Sequence, residues 1–204
     1  MEIKDRILQQ ATALFMRNGI KSVSMDDIAT NMAMSKKTLY KWFANKDEMV
    51  HAVMTQHLSE TQRDCTRLME QSGSAIDELF RMMSWVKQQF ADVHPGIFYD
   101  LQKFYPLTWQ LWVAHKNQYI LAQIIDNLRR GMAEELYRAD LDLEVLARLR
   151  LAQIELVFNT DVYPARQFEV QRLQQAMLEH FMLGIATLKG HKLINGLRHV
   201  TEAE

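Results

Sequence analysis

The chain has 204 residues, 48% hydrophobic and 24% charged, with a formal net charge of −1, a globular balance that excludes a disordered or strongly polyionic protein. Three prolines and seven glycines leave most of the backbone free to be helical, and a single cysteine, Cys65, excludes an internal disulfide. The first residues lack the basic-then-apolar pattern of a signal peptide, and charges interrupt every apolar run before the ~20 residues a membrane span needs, so a cytoplasmic protein without a membrane partner is expected.

Ile3, Ile7, Leu8, Ala11, Leu14 and Phe15 recur at helical spacing and predict a first helix, stopped by Asn18-Gly19. Ser24 followed by Asp27 is an N-cap with a carboxylate three residues on, opening a short helix with Ile28, Ala29 and Met32 inward. A tight turn at Ala33-Met34 leads to Ser35, which restarts a helix ending near Phe43. Asn45 and Glu48 cap a long helix through about Met69. After the break at Gln71–Ser74, Ala75–Phe90 reads as amphipathic, with Ile76, Leu79, Phe80, Met83, Val86 and Phe90 on the buried side. His94-Pro95-Gly96 precedes a short helix to about Phe104, and Pro106 opens one that runs to Arg130 and stops at Gly131. Asp142 caps a helix to about Asn159, and Pro164 begins a last long helix ending near Gly190. The expected fold is all-α, with about nine helices: an N-terminal three-helix helix-turn-helix domain over residues 1–49 and a larger C-terminal helical bundle over 50–204.

The segment 24–43 has the anatomy of a helix-turn-helix. Its second helix turns Leu39 and Phe43 inward and presents Lys36, Lys37, Thr38, Tyr40 and Lys41 outward. Net charge hides this, because residues 1–50 carry eight Lys/Arg against six Asp/Glu while Ser35–Lys46 carries four lysines and no acid. Lysines and hydroxyls on such a helix suit phosphates and base edges in a major groove, and Lys46 at the start of the next helix suits another phosphate.

Residues 3–54 resemble the N-terminal domain of the tetracycline-repressor (TetR) family, through Ile7, Ala11, Leu14, Phe15, Gly19, Ser24, Ile28, Ala29, Ser35, Leu39, Tyr40, Phe43, Lys46 and Asp47-Glu48. The resemblance implies a homodimer that binds a palindromic DNA operator through its first three helices. Helix four then couples them to a domain that binds a small-molecule effector and dimerises. It implies DNA contacts at Ser35, Lys36, Lys37, Thr38, Tyr40, Trp42 and Lys46, to which the residue chemistry adds Ser24 and Lys41. Lys37 stands where many members have glycine and Trp42 where tyrosine or histidine is usual, so the preferred operator is expected to differ. Further along, Leu136–Leu141 and Phe181–Gly190 also resemble segments of some members.

The last two long helices are apolar on more than one face, which predicts partners on both sides. Leu149, Leu156, Met177, Phe181, Gly184 and Leu188 are the expected dimer interface. An aromatic-rich stretch supplies Trp85, Phe98, Tyr99, Phe104, Tyr105, Trp109 and Trp112 as candidates to line an apolar effector pocket. The alternative is a helical enzyme or an adaptor bundle without DNA binding. No histidines or carboxylates recur at metal spacing, and no phosphate loop or nucleophile elbow is present, so no catalytic residue, metal or cofactor is expected. The reading is therefore a ligand-responsive regulator, a repressor that leaves its operator on binding an apolar or aromatic effector.

Overall fold

Side-chain caps written into the sequence set where the N-terminal helices begin. In the computed structural model, which describes residues 2–89 and 93–198, Glu2 and Asp5 form a capping box before α1 (Ile3–Asn18). Ser24 Oγ accepts the Asp27 N–H at the head of α2 (Met25–Asn31), and Ser35 Oγ accepts the Thr38 N–H at the head of α3 (Lys36–Tyr40). Asn45 Oδ1 accepts the Glu48 N–H at 2.8 Å to open α4 (Lys46–Glu70). Each such cap satisfies one orphan donor and contributes ~1 kcal/mol. Between α2 and α3 the chain reverses at Ala33, whose φ of 50° is left-handed, with the Met34 N–H closing onto the Ala29 carbonyl at 2.9 Å.

The chain divides into two compact units, Met1–Arg63 with Asp92–His115, and Asp64–Ala91 with Lys116–Glu204. The first holds α1, α2, α3, most of α4, α6 (Ile97–Phe104) and α7 (Pro106–His115). Its core is the face read from the heptad-like spacing: Ile7, Ala11, Ile28, Leu39 and Met49 are fully buried, and Phe15 and Phe43 nearly so. Burying each large side chain contributes roughly 1.5–3 kcal/mol.

The second unit contains α5 (Ala75–Gln89), a π turn (Lys116–Ile120), α8 (Leu121–Ala133), α9 (Leu143–Leu156), α10 (Val170–Ile185) and α11 (Leu188–Arg198). Ile76, Leu128, Tyr137, Ala147, Leu178, Phe181, Met182, Ile185 and Ile194 form its core. A polar network stitches it together: Tyr137 Oη donates to Asn127 Oδ1 at 3.1 Å, and Asn127 Nδ2 donates to the Ala75 carbonyl at 3.0 Å.

Several boundaries differ from those expected. The third helix is only Lys36–Tyr40, with turns carrying the chain to Phe43. The helix after Pro106 is interrupted by the π turn. Gly131 is no terminus: α8 runs on to Ala133, and the left-handed residue is Glu135, at φ 58°. The glycine serves a close approach instead, since a Cβ there would lie 2.0 Å from the Tyr137 ring. Pro164 sits in a turn before α10, which begins at Val170. The last helix also breaks at Ala186-Thr187, where an antiparallel bridge joins Ala186 to Tyr137 and separates α10 from α11. Phe90 lies outside the described residues.

Candidate nucleic-acid interface

The short α3 is held from beneath and open above. Leu39 is fully buried and Phe43 nearly so, while Lys36, Lys37 and Lys41 are exposed, as are Tyr40 at 48% and Trp42 at 39%. A basic face carrying two aromatic rings is thus fixed by two apolar anchors. The hydroxyls are partly spent on local order: Ser24 Oγ donates to Asp27 Oδ2 at 2.6 Å, and Ser35 Oγ and Thr38 Oγ1 share a hydrogen bond of 2.8 Å. Lys36 pairs with Asp26 across the turn, and that contact holds its ammonium above the usual lysine range. Both partners are exposed, so the pair contributes little to stability, and Lys37 and Lys41 are the lysines of α3 without such a partner among the described residues.

Lys46 is placed differently from the other predicted contacts. Its Nζ turns back and donates to the Ile20 carbonyl at 2.6 Å, with the Lys21 carbonyl at 3.4 Å. Burial pushes this ammonium down, opposed by the charges of Asp100, Asp47 and Asp27. The same turn is gripped from α6: buried Asp100 accepts the Lys21 N–H through Oδ2 at 2.8 Å, and the His94 N–H donates to the Met16 carbonyl at 2.6 Å. Gly19, at φ 80°, allows this approach, because a Cβ there would meet His94 Nδ1 at 3.2 Å. Sequence reading missed Asp100 and His94. They lie some eighty residues from the turn they hold, and a lone acid in a short helix carries no local signal.

Of the aromatic candidates, six gather on α6 and α7 in the first unit, whereas Trp85 lies on α5 in the second. Phe98 packs edge-on against Trp112, with centroids 4.9 Å apart, and against Trp109 at 6.2 Å. Trp112 and Tyr105 are buried, and burial raises the Tyr105 phenol above its usual range. Tyr99 and Phe104 point outward and are covered by cations: Lys103 Nζ is 5.0 Å from the Tyr99 ring, and Lys21 Nζ is 4.9 Å from the Phe104 ring. The expected dimer residues also separate. Leu149 at 49%, Leu188 at 84% and Gly184 are exposed, and Leu156 and Met177 are partly so. Phe181 is only 5% exposed, a member of its own unit's core.

Among the described residues no group of three His, Cys, Asp or Glu side chains is placed to hold a metal ion, and no helix is long and apolar enough to cross a membrane. Cys65 is buried against Met82, and burial pushes its thiol up to about 11.

Residues 7–53 match the profile of the bacterial regulatory proteins, tetR family. Over 192 residues, 93% of each chain, the sequence is 24% identical to the HTH-type transcriptional repressor KstR2 of Mycolicibacterium smegmatis. It is 28% identical over 105 residues to the uncharacterized HTH-type transcriptional regulator YvaF of Bacillus subtilis, covering 51% of this chain and only 55% of that protein. A TetR-family regulator from Agrobacterium tumefaciens shares the fold with a TM-score of 0.75 at 18% identity, covering 90% of this chain and 97% of that one. A capped helix-turn-helix with an exposed basic second helix, in a chain whose relatives are transcriptional regulators, defines a DNA-binding transcriptional regulator rather than an enzyme. Its DNA-binding domain is of the TetR family, and its all-helical fold is that of TetR-family regulators.

Proposed function

We propose that this chain is a ligand-responsive repressor that holds a palindromic operator as a homodimer in the cytoplasm and lets go when a small apolar or aromatic molecule binds. In this reading residues 1–49 contact DNA and residues 50–204 sense the effector and dimerise. The observation that carries it is the exposed face of α3, with Lys36, Lys37, Tyr40 and Lys41 outward over buried Leu39 and Phe43. Two such helices in a symmetric pair meet successive major grooves about 34–36 Å apart. Val145, Leu149 and Gly184, exposed on α9 and α10, supply apolar and small surface for the pair. An apolar effector accords with two proteins of the same fold: KstR2 of Mycobacterium tuberculosis, a ketosteroid transcriptional regulator (TM-score 0.60, 18% identity), and the Thermus thermophilus FadR repressor, in complex with lauroyl-CoA (TM-score 0.56, 18% identity).

The bonds from Asp100, His94 and Lys46 give the first unit a route for the signal. Movement of α6 or α4 pulls on the turn between α1 and α2, on which the helix-turn-helix is seated. A coupling of 1–3 kcal/mol between effector and operator suffices for a 5–150-fold change in affinity. Fluorescence anisotropy with the duplex upstream of the protein's own gene tests the reading. Specific binding that falls steeply with salt and weakens in Lys36→Ala and Tyr40→Ala is expected; binding no tighter than to random duplex contradicts it.

A further inference from the structure

Arg150 is the one buried cation among the described residues, at 7% exposure on α9. Its guanidinium lies 5.9 Å from the centroid of the Phe181 ring, and its one hydrogen bond is a long one, Nη1 donating to Gln153 Oε1 at 3.5 Å. Among the described residues no carboxylate pairs with it, in contrast with Arg130, which meets both Glu78 and Glu134. A guanidinium carries five N–H donors, and most of these are unspent. Since no fully buried side-chain nitrogen or oxygen among the described residues lacks a partner, the remaining Arg150 nitrogens reach open space. That space is a recess of about 240 Å³, counting its open mouth, between α5, α9 and α10. Met83, Val86 and Leu178 give it an apolar wall, and Gln171 and Gln174 line it with amides. Gln174 is itself buried, with its Nε2 donating to the Ile154 carbonyl at 3.3 Å. Burial lowers the Arg150 pKa to about 10, which leaves it charged at neutral pH.

A desolvated cation with no counter-charge is a costly element of a fold, and its planar fork matches a carboxylate, which it binds through two parallel N–H···O bonds. We propose that the recess between α5, α9 and α10 binds a small amphiphilic carboxylate, its head on Arg150 and its apolar part along Met83, Val86 and Leu178. Three helices of one chain wall the recess and Arg150 lies at low exposure within it, which favours a free molecule over a side chain of a second copy. Binding at this site does not require the regulatory reading above; only its consequence for DNA rests on that reading.

The test is calorimetric titration of the full-length protein with sodium octanoate and, in parallel, with 1-octanol. The expected result is one octanoate per chain, bound at least tenfold more tightly than octanol. Arg150→Gln should lose that preference and melt no earlier than the parent protein, and Arg150→Lys, which keeps the charge, should retain part of it and serves if the glutamine variant does not fold. Equal binding of the two probes, or octanoate binding undiminished in Arg150→Gln, overturns the proposal. So does a parent protein that ignores octanoate while Arg150→Gln falls from dimer to monomer, which would give the guanidinium to a second copy. Operator binding by the same preparation without octanoate is read separately, so loss of this site and loss of the regulatory reading are distinguishable.

Discussion

Replacing Lys46 by methionine separates anchoring the helix-turn-helix from neutralising a phosphate. The side chain keeps its length and loses the ammonium that donates to the Ile20 carbonyl at 2.6 Å. A hydrogen bond from a charged donor contributes about 1.5–3 kcal/mol. The second contact, at 3.4 Å to the Lys21 carbonyl, adds little, and the burial that already pushes the ammonium down offsets part of the gain, so the lower end applies. A loss of about 1.5 kcal/mol lowers Tm by roughly 3–6 °C in a chain of this size. Thermal unfolding followed by circular dichroism measures it. Operator affinity across a salt series then shows whether a phosphate contact went too, because each one lost flattens the slope by about 0.9. Lys46→Met should melt early and keep the parent slope; Lys37→Met should melt normally and flatten it. A Lys46→Met protein that melts with the parent but loses close to one unit of slope would refute the anchoring argument.

Asp26→Asn should tighten operator binding and steepen its salt dependence, since it frees Lys36 and removes an acid beside the DNA face; the same anisotropy series measures it. Gly131→Ala should destabilise by about 2–4 kcal/mol, because the new Cβ would drive the buried Tyr137 ring from its place and break its bond to Asn127; urea unfolding monitored at the second unit's tryptophan, Trp85, reads it. Burial lowers the His57 pKa, and burial together with the neighbouring His57 charge lowers that of His115. The folded state therefore binds fewer protons than the unfolded one below about pH 6.5, and its stability should be kept above that pH and fall as pH drops towards the folded values. Melting at pH 7.5 and 5.5 checks this, with a smaller drop expected in His57→Gln.

What was legible in the sequence was what neighbouring residues decide among themselves. The caps at Ser24, Ser35, Asn45 and Asp142 each act within three residues, and all four accept the backbone N–H that their spacing implies. The apolar face of α1 was equally plain, because periodic burial is a local pattern. Gly131 misled for the opposite reason: glycine after two arginines has the local form of a helix end, whereas its place is set by a ring six residues on that packs where a side chain would stand. The break between α10 and α11 depends on pairing with Tyr137, some fifty residues earlier. The packing of α6 and α7 with the DNA-binding helices depends on contacts such as Asp100 with Lys21. Neither has a signature along the chain. Within the candidate site, residue types announced the outward face of α3, but only the three-dimensional arrangement turns Lys46 inward and pairs Lys36 with Asp26.

Selection by the purified protein from a library of genomic duplex fragments, read by sequencing, bears most directly on the claim that α3 enters DNA grooves as a symmetric pair. An inverted repeat with half-sites one helical turn or a multiple of it apart, no longer enriched by Tyr40→Ala or Lys37→Glu, is the predicted result. Failure to enrich any sequence, or enrichment that survives both substitutions, would contradict it.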